Sequence, residues 1–391
     1  MGLHKRDLLQ RATRLRPTGY AAVACRHFIG PKPLAKADPP RAATRGILAK
    51  ASERGLTFFE QCQYCVISLA PFYETRHARI LLGRERFVNP LRRLTKRIVL
   101  LGNHYLSTYL IMGRRSHTLV EPGISSTAEL IVDQIKLLGL EVSSISRLVL
   151  MHAHADHITG APILKKMMPG LKVMAGSETQ RLLAKEKIQR IFAREDREIS
   201  NRLLKLEAID KHAPVAAPLE GIVDEIINPG HALRLDGLSL EVLDAPGHCL
   251  GGIALWEPEE GILFCSDYLG FFLPPDRFVP NFYVNLDDYM ATFEYLSRLR
   301  PVCVCPGHCG AYSGEESLRF IAQARSEVEW VCKFVRGHCE TPARLEQVAE
   351  ELFRRYYVRE ATMFSAESTR YCMELIIRRI VNSNAFALDK D

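Results

Sequence analysis

The chain has 391 residues, of which 47% are hydrophobic and 25% are charged, a composition typical of a soluble globular protein with enough chain for two or three domains. No apolar run is long enough to span a bilayer and no signal-peptide core follows Met1, so we expect neither a transmembrane segment nor secretion. The eleven cysteines have no regular spacing, which argues against a disulfide framework and predicts a reducing, cytoplasmic location.

The net charge of +7 is unevenly distributed along the chain. Residues 1–95 contain 18 Lys and Arg against 6 Asp and Glu, a net +12, so the remaining residues carry a net −5. A basic N-terminal extension of this kind can contact nucleic acid, an anionic lipid surface or an acidic partner. Residues 1–50 contain five prolines and no sustained hydrophobic period, which favours a solvated, partly disordered arm over these contacts.

Cys62 and Cys65 form a Cys-x-x-Cys pair within the apolar stretch from Leu56 to Tyr73. Such pairs occur in zinc sites and in redox proteins, but a structural zinc site needs a second pair at similar spacing, and none follows. We therefore interpret both cysteines as structural residues beneath the core.

From Arg97 onward, short apolar runs and amphipathic stretches alternate. The first three runs are consecutive and predict a strand meander, whereas the later runs are separated by helical periodicity, which predicts the α/β class. The predicted strands cover residues 97–101, 108–111, 118–120, 147–151 and 171–174, and the predicted helices cover residues 126–138 and begin again after Ala161 and at Ser177.

The strand at 147–151 is followed directly by a run that contains His152, His154, Asp156 and His157. Imidazole and carboxylate are ligands that borderline divalent metals prefer. If the backbone stays extended, His152 and His154 point in the same direction, because side chains alternate between the faces of a strand. Asp156 and His157 then fall at a turn and can face a second metal. The motif therefore predicts two half-sites at one strand end.

Three further polar side chains follow predicted strands at turns. His248 and His308 each end a Pro-Gly-His turn, and Asp267 ends the sequence Phe-Cys-Ser-Asp. Catalytic groups in layered α/β folds gather at one end of a sheet, so we expect these three side chains to complete the half-sites.

This ordered set of motifs resembles the metallo-β-lactamase fold superfamily over roughly residues 97–314. The resemblance implies a four-layer αββα sandwich and two divalent metal ions. Zinc is expected, although iron or manganese can take the same ligands. By this resemblance, one ion is held by His152, His154 and His248, the other by Asp156, His157 and His308, and Asp267 bridges the two.

Two positions depart from the pattern of this superfamily. Met151 stands where a threonine usually precedes the histidine motif, and Glu121 stands where an aspartate usually orients a ligand histidine. A glutamate can still accept that hydrogen bond, but we expect its extra methylene to move the histidine or the strand and so to tune metal affinity.

On this basis we divide the sequence into three regions. Residues 1–95 are the basic extension, residues 96–314 the catalytic domain, and residues 315–391 a helical region that covers the site or forms a homodimer surface. Within the catalytic domain, residues 177–212 are predicted to form a helical insertion over one side of the active site, with a solvated surface helix as the alternative. The aromatic loop at 268–283 is interpreted either as the wall of an apolar pocket or as core packing.

The resemblance favours a hydrolase of ester, thioester or lactone bonds in a small-molecule substrate, similar to the glyoxalase II and lactonase branches. In such an enzyme a metal-bridging hydroxide attacks the scissile carbon. Asp156 is expected to orient this nucleophile and to carry a proton to the leaving group.

Three alternatives stay open. A mononuclear-iron persulfide dioxygenase has a motif similar to residues 154–160, but the glycine- and arginine-containing stretch expected after its aspartate is absent. A metal-dependent phosphodiesterase or nuclease agrees with the basic extension but not with the acidic remainder of the chain. A non-catalytic metal-binding scaffold is the third alternative, and the complete ligand set argues against it.

Overall fold

The computed structural model describes residues 91–210, 218–338, 342–383 and 385. The Cys62–Cys65 pair and all but the last five residues of the basic extension lie outside the described residues. Their interpretation therefore stays a prediction, as does the division of the chain into three regions.

A first sheet contains seven strands in the order in which they occur along the chain. They are β1 (Arg92–Arg93), β2 (Ile98–Gly102), β3 (Ser107–Met112), β4 (His117–Val120), β5 (Ile145–Leu150), β6 (Lys172–Ala175) and β7 (Glu225–Ile226). The pairs from β1 to β4 are antiparallel, which confirms the predicted meander. The pairs from β4 to β7 are parallel, as expected where helices connect successive strands.

A second sheet contains six strands and is mainly antiparallel. In spatial order they are β15 (Tyr312–Ser313), β14 (Cys303–Pro306), β11 (Ile262–Ser266), β10 (Ile253–Glu257), β9 (Leu238–Asp244) and β8 (Ala232–Leu235). Only β11 and β14 run parallel within this sheet, and the long connection between them includes an antiparallel ribbon. The ribbon consists of β12 (Phe271–Leu273) and β13 (Arg277–Val279).

Helices follow the strands along the described chain. They are α1 (Ala128–Leu137), α2 (Ala155–Ile158), α3 (Ala161–Met167), α4 (Ser177–Leu183), α5 (Glu186–Lys205), α6 (Leu286–Arg298), α7 (Glu315–His338), α8 (Pro342–Tyr356) and α9 (Ala366–Asn382). Short 3-10 turns cover Ser125–Thr127, Val142–Ser144 and Arg359–Met363. None of the helices in the described part of the chain is both long enough and apolar enough to cross a membrane.

The two sheets pack face to face, and helices cover both outer faces. Between the sheets, Val120 and Val149 from the first meet Val242 and Phe264 from the second in one buried cluster. The outer face of the first sheet packs on α1, α3, α4 and α5. The outer face of the second sheet packs on α6, α7, α8 and α9. This arrangement confirms the predicted α/β class and four-layer αββα sandwich.

The predicted insertion consists of α4 and α5. One face of α5 is buried through Ile188, Phe192, Ile199 and Leu203, whereas the opposite face carries exposed charged residues. Asp196 on the same face accepts hydrogen bonds from Ser125 and Thr159 of the core. The helix is therefore attached to the catalytic region and is not a solvated surface helix.

Candidate metal centre

The histidine motif lies where β5 ends and α2 begins. His152 follows the buried Met151, and His154 has extended backbone angles (φ −117°, ψ 148°) as the N-cap residue of α2. The ring centroids of the two histidines lie 4.5 Å apart. Asp156 and His157 occupy this one-turn helix, where the sequence predicted a turn.

The first group of donors brings His152 and His154 together with His248 and Asp267. Nε2 of His248 lies 3.0 Å from Nδ1 of His154 and 3.3 Å from Nε2 of His152. It also lies 3.8 Å from Oδ2 of Asp267. Each of these four buried residues offers one ligand atom, and the four atoms lie within 4.8 Å of one another.

The second group consists of Asp156, His157 and His308. Oδ2 of Asp156 lies 3.4 Å from Nε2 of each histidine. Asp267 also reaches this group, because its Oδ2 lies 3.6 Å from Nε2 of His157 and its Oδ1 lies 3.4 Å from Nε2 of His308. The structure therefore brings all seven sequence-predicted residues together, with Asp267 between the two groups.

The outer ring nitrogens of two histidines contact backbone oxygens. Nδ1 of His248 lies 2.6 Å from the carbonyl oxygen of Asn281, and Nδ1 of His308 lies 2.8 Å from that of Tyr105. A carbonyl oxygen can only accept a hydrogen bond, so each Nδ1 carries the proton. In the neutral form of both rings, Nε2 is therefore the nitrogen that is available to a metal.

Glu121 orients two further rings, one directly and one through Ser266. Its Oε1 lies 3.1 Å from Nδ1 of His157 and accepts a hydrogen bond from the Ser266 hydroxyl group. Since the Ser266 hydrogen is used in that bond, its oxygen accepts from Nδ1 of His152 at 3.2 Å. Glu121 is buried, has a left-handed φ of 60° and contacts His157 from the position where the sequence predicts an orienting carboxylate.

Both Pro-Gly-His turns need their glycine. A Cβ atom on Gly307 would lie 2.4 Å from Cε1 of His157 and 2.9 Å from Oε2 of Glu121. A Cβ atom on Gly247 would lie 2.2 Å from the backbone nitrogen of Tyr289, and its φ of 106° also disfavours other residues. The glycines therefore allow the close approach on which the ligand positions depend.

The first group favours neutral imidazole. Burial lowers the pKa of His152, His154 and His248, because the loss of hydration disfavours the imidazolium form and outweighs the attraction of Asp267. Neutral imidazole is the form that binds a metal.

The second group is held by opposite charges. Burial lowers the pKa of His157 and His308, but nearby carboxylates outweigh it, so the pKa of His157 is well above its usual value and that of His308 is about 9. Burial likewise raises the pKa values of Asp156 and Asp267, and the two imidazolium groups reverse the effect and hold both well below their usual range. In the metal-free protein, protons thus supply the positive charge that these carboxylates require.

The donor set fits the two divalent ions implied by the fold. Nε2 of His157, Nε2 of His308 and Oδ1 of Asp267 are buried and make no hydrogen bond of ordinary geometry with the described residues. Buried polar atoms without partners are costly, and a divalent cation would satisfy all three. Histidine nitrogen and carboxylate oxygen are also the ligand types of zinc, iron and manganese sites.

A cavity of about 100 Å³ lies beside the two groups. His154, Asp156, Asp267 and His308 line its inner wall. The outer walls come from α5, α9 and the loop after Asp267, so α5 lies on one side of the candidate site.

The aromatic loop serves both predicted purposes. Phe271 and Tyr283 line the cavity, whereas Phe278 and Phe282 are buried in the core beneath the second sheet. Tyr283 also lies beside His248, with ring centroids 5.4 Å apart.

Two residues of the site carry no recognisable sequence signal. Asn281 provides the carbonyl oxygen for His248, and its side-chain nitrogen lies 3.4 Å from Oδ2 of Asp267. Glu195 of α5 lines the cavity, where burial and the nearby Asp156 carboxylate raise its pKa to about 8.

The comparisons with known proteins agree with this geometry. The sequence model of the metallo-beta-lactamase superfamily matches residues 102–308, more than half of the 391-residue chain. A beta-lactamase-like protein 2 homolog of Caenorhabditis elegans is 24% identical over 202 residues, which cover 52% of this chain and 55% of the relative. A hydroxyacylglutathione hydrolase of Haemophilus influenzae is 28% identical over 159 residues, which cover 40% of this chain and 62% of that enzyme.

Both of these matches span less than two thirds of the relative's length. A probable metallo-hydrolase of Bacillus subtilis is 24% identical over 282 residues, or 66% of this chain and 84% of that protein. Among solved structures, a metallo-beta-lactamase family protein from Thermus thermophilus is 19% identical, with a TM-score of 0.47 over 71% of this chain and 94% of its own. By the superfamily match, the chain belongs to the metallo-β-lactamase superfamily.

Proposed function

We propose that this protein is a metal-dependent hydrolase that cleaves ester, thioester or lactone bonds in a small-molecule substrate. The observation that carries the proposal is the convergence of seven buried donors into two groups that share Asp267. Support also comes from the relative in Haemophilus influenzae, whose name describes the hydrolysis of a thioester.

The residues of the first group, His152, His154 and His248, would hold one ion, and Asp156, His157 and His308 would hold the other, with Asp267 between them. Two divalent ions bound there, most simply zinc because hydrolysis needs no change of oxidation state, would act as Lewis acids and lower the pKa of a bound water.

Asp156 is the proposed proton carrier. Its carboxylate faces the cavity and is held ionised by His157 and His308, so it can orient the attacking water and accept a proton from it. The same carboxyl group can then donate that proton to the departing alcohol or thiol. Since proton transfer requires a position within hydrogen-bond reach of the reacting atoms, the place of Asp156 in the cavity wall supports this role.

The surrounding residues orient the ligand rings and reduce the contact of the donors with water. Glu121, Ser266, Asn281 and the Tyr105 carbonyl fix the orientation of the ligand rings. Tyr283 and Phe271 bring apolar surface beside the donors, where reduced hydration strengthens electrostatic interactions.

The second donor group argues against the persulfide dioxygenase, which needs one iron ion with open positions and leaves Asp156, His157 and His308 without a metal. A nuclease or phosphodiesterase also has little support, because no lysine or arginine lines the cavity within the described residues.

The test is metal content and turnover of the purified full chain on a panel of a small ester, a thioester, a lactone and a phosphodiester. We expect turnover of at least one of the first three, with two ions per chain. His248→Ala should abolish it, whereas His231→Ala, at an exposed histidine outside the site, should not. Turnover restricted to the phosphodiester would contradict the proposal.

A further inference from the structure

The cavity beside the donors combines aromatic rings with carboxyl groups. Phe271, Tyr283 and Phe364 line it, and the rings of Phe271 and Phe364 meet edge to face with centroids 6.0 Å apart. Glu195 and Glu198 of α5 line it as well. No lysine or arginine is present among the described residues of its wall, so away from the donor histidines an anionic substrate group would find no side-chain cation there.

Outside the donor groups, Glu195 brings to this cavity a carboxyl oxygen without a hydrogen-bond partner among the described residues. Its Oε1 is buried and forms no hydrogen bond within the described part of the chain. Glu198 differs, because its half-exposed side chain lies 3.9 Å from Nε of Arg194. A buried carboxyl oxygen without a donor is costly, so a ligand that brings a donor or a positive charge to Glu195 gains binding energy.

The N-terminus of α9 in the cavity wall does not outweigh the preference of the cavity for a positive charge. α9 begins at the cavity, and Ser365 and Ser368 line it. The Ser365 side chain already accepts the hydrogen bond of the Ser368 backbone nitrogen, which caps the helix. The remaining helix dipole amounts to roughly half a positive charge, less than the full negative charge that Glu195 carries once a bound cation favours its ionised form.

We infer that the cavity recognises an ammonium group carried on an otherwise apolar part of the substrate. A cation bound beside Glu195 favours the ionised form of its carboxyl group, so that in the complex Glu195 supplies the opposite charge, and the aromatic rings attract the cation through their π-electron faces. The inference rests on the proposed function, since it assigns the substrate class of the same site. The substrate would be an ester or thioester whose alcohol or thiol part is cationic and is released on hydrolysis.

The test uses three thioesters that share a butyryl group and are hydrolysed by the metal-loaded full chain. The first is butyrylthiocholine, the second its neutral dimethylbutyl analogue with carbon in place of the quaternary nitrogen, and the third carries a carboxylate on the thiol. We expect kcat/KM for the cation to exceed that for the neutral analogue by about tenfold, with the anion slowest.

In Glu195→Gln, kcat/KM for the cation should exceed that for the neutral analogue by no more than about twofold, because the substitution removes the carboxyl group at nearly constant volume. Glu186→Gln, at an 81% exposed carboxylate on the same helix, is the matched control and should keep the preference. A neutral analogue that is hydrolysed as fast as the cation, or a preference unchanged by Glu195→Gln, would overturn the inference and leave the hydrolase standing.

Binding without turnover separates the two claims if no thioester is hydrolysed. Calorimetric titration of phenyltrimethylammonium, with benzenesulfonate as its anionic counterpart, measures the cavity alone. Binding of the cation that Glu195→Gln weakens would keep the inference about the cavity, although the hydrolase proposal would then fail. Equal binding of both ions, or binding of the anion only, would reject it.

Discussion

Nδ1 of the buried His157 lies 3.1 Å from Oε1 of the buried Glu121. The same oxygen lies 3.9 Å from Nδ1 of His152 and accepts a hydrogen bond from Ser266. One carboxylate thus orients a histidine from each donor group. Because a hydrogen-bonded carboxylate fixes the tautomer and raises the basicity of a ligand imidazole, Glu121 would couple the two proposed metal positions.

Glu121→Gln should therefore weaken metal binding about 10- to 100-fold, since the amide keeps the volume but loses the charge that faces both rings. Competition with a chromophoric chelator measures the affinity of each position. Glu186→Gln serves as the control for the loss of one carboxylate. An affinity equal to that of the unaltered protein would show that Glu121 does not orient the ligands.

Gly307→Ala should displace His157, because the new Cβ would lie 2.4 Å from its Cε1. Backbone and ligand must then move apart, so we expect a loss of metal at the second group with retention of a cooperative unfolding transition. Gly170→Ala, where a Cβ meets nothing within 4 Å, is the control. Full metal content in Gly307→Ala would mean that the turn adapts without cost.

Asp267→Ala should lower the metal content from two ions per chain towards one and abolish turnover, because this carboxylate lies between the two groups. Elemental analysis after gel filtration measures the ratio. Asp276→Ala, at a 63% exposed aspartate, should keep both ions. Two ions and full activity in Asp267→Ala would contradict its proposed bridging role.

The stability of the metal-free protein should decrease as the pH rises from about 6.5 to about 9. Burial opposes protonation of His308, but Asp267 and Asp156 outweigh it and raise its pKa from 6.5 to about 9. A pKa that is raised on folding stabilises the fold fully below the unfolded value, and this contribution disappears as the pH rises through the folded value. The raised pKa of His157 acts with the same sign.

Thermal unfolding of metal-free and zinc-loaded protein across this range provides the measurement. The lowered pKa values of His152, His154 and His248 affect stability only below about pH 6.5, so they do not mask the decline. In the loaded protein the metals would replace the protons of His157 and His308, so the decline should be smaller than in the metal-free protein. A metal-free Tm that stays constant or increases between these pH values would refute the assigned charges.

Asp196→Ala should destabilise the fold by about 2–4 kcal/mol, because a buried carboxylate loses hydrogen bonds that attach α5 to the core. Its Oδ1 accepts from the Ser125 backbone nitrogen at 2.9 Å and from the Thr159 hydroxyl group at 2.6 Å. Urea unfolding measures the change, with the exposed Asp133→Ala as control. A loss below about 0.5 kcal/mol would show that α5 is held by its apolar face alone.

The sequence predicts the convergence of the seven candidate donors because each of them lies within a local motif. His152, His154, Asp156 and His157 are close neighbours in the chain, and the Pro-Gly-His turns of His248 and His308 carry their own glycine signal. The βα alternation likewise predicts the first sheet, since hydrophobic periodicity is a local property.

The supporting residues could not be predicted in this way. Asn281 acts through its backbone carbonyl, which any residue possesses, and Glu195 is one of many charged residues on an amphipathic helix. β8 and β10 are also short, and their pairing in the second sheet depends on tertiary contacts that lack a local pattern. Such roles follow from the assembled fold and not from the motif.

The central claim is hydrolysis at a two-ion site, and anaerobic turnover of a small thioester by zinc-loaded protein tests it most directly. The account predicts turnover without oxygen, with two zinc ions per chain and none of this activity after chelation. Oxygen uptake with glutathione persulfide, one iron ion per chain and no hydrolysis of any ester or thioester would contradict it.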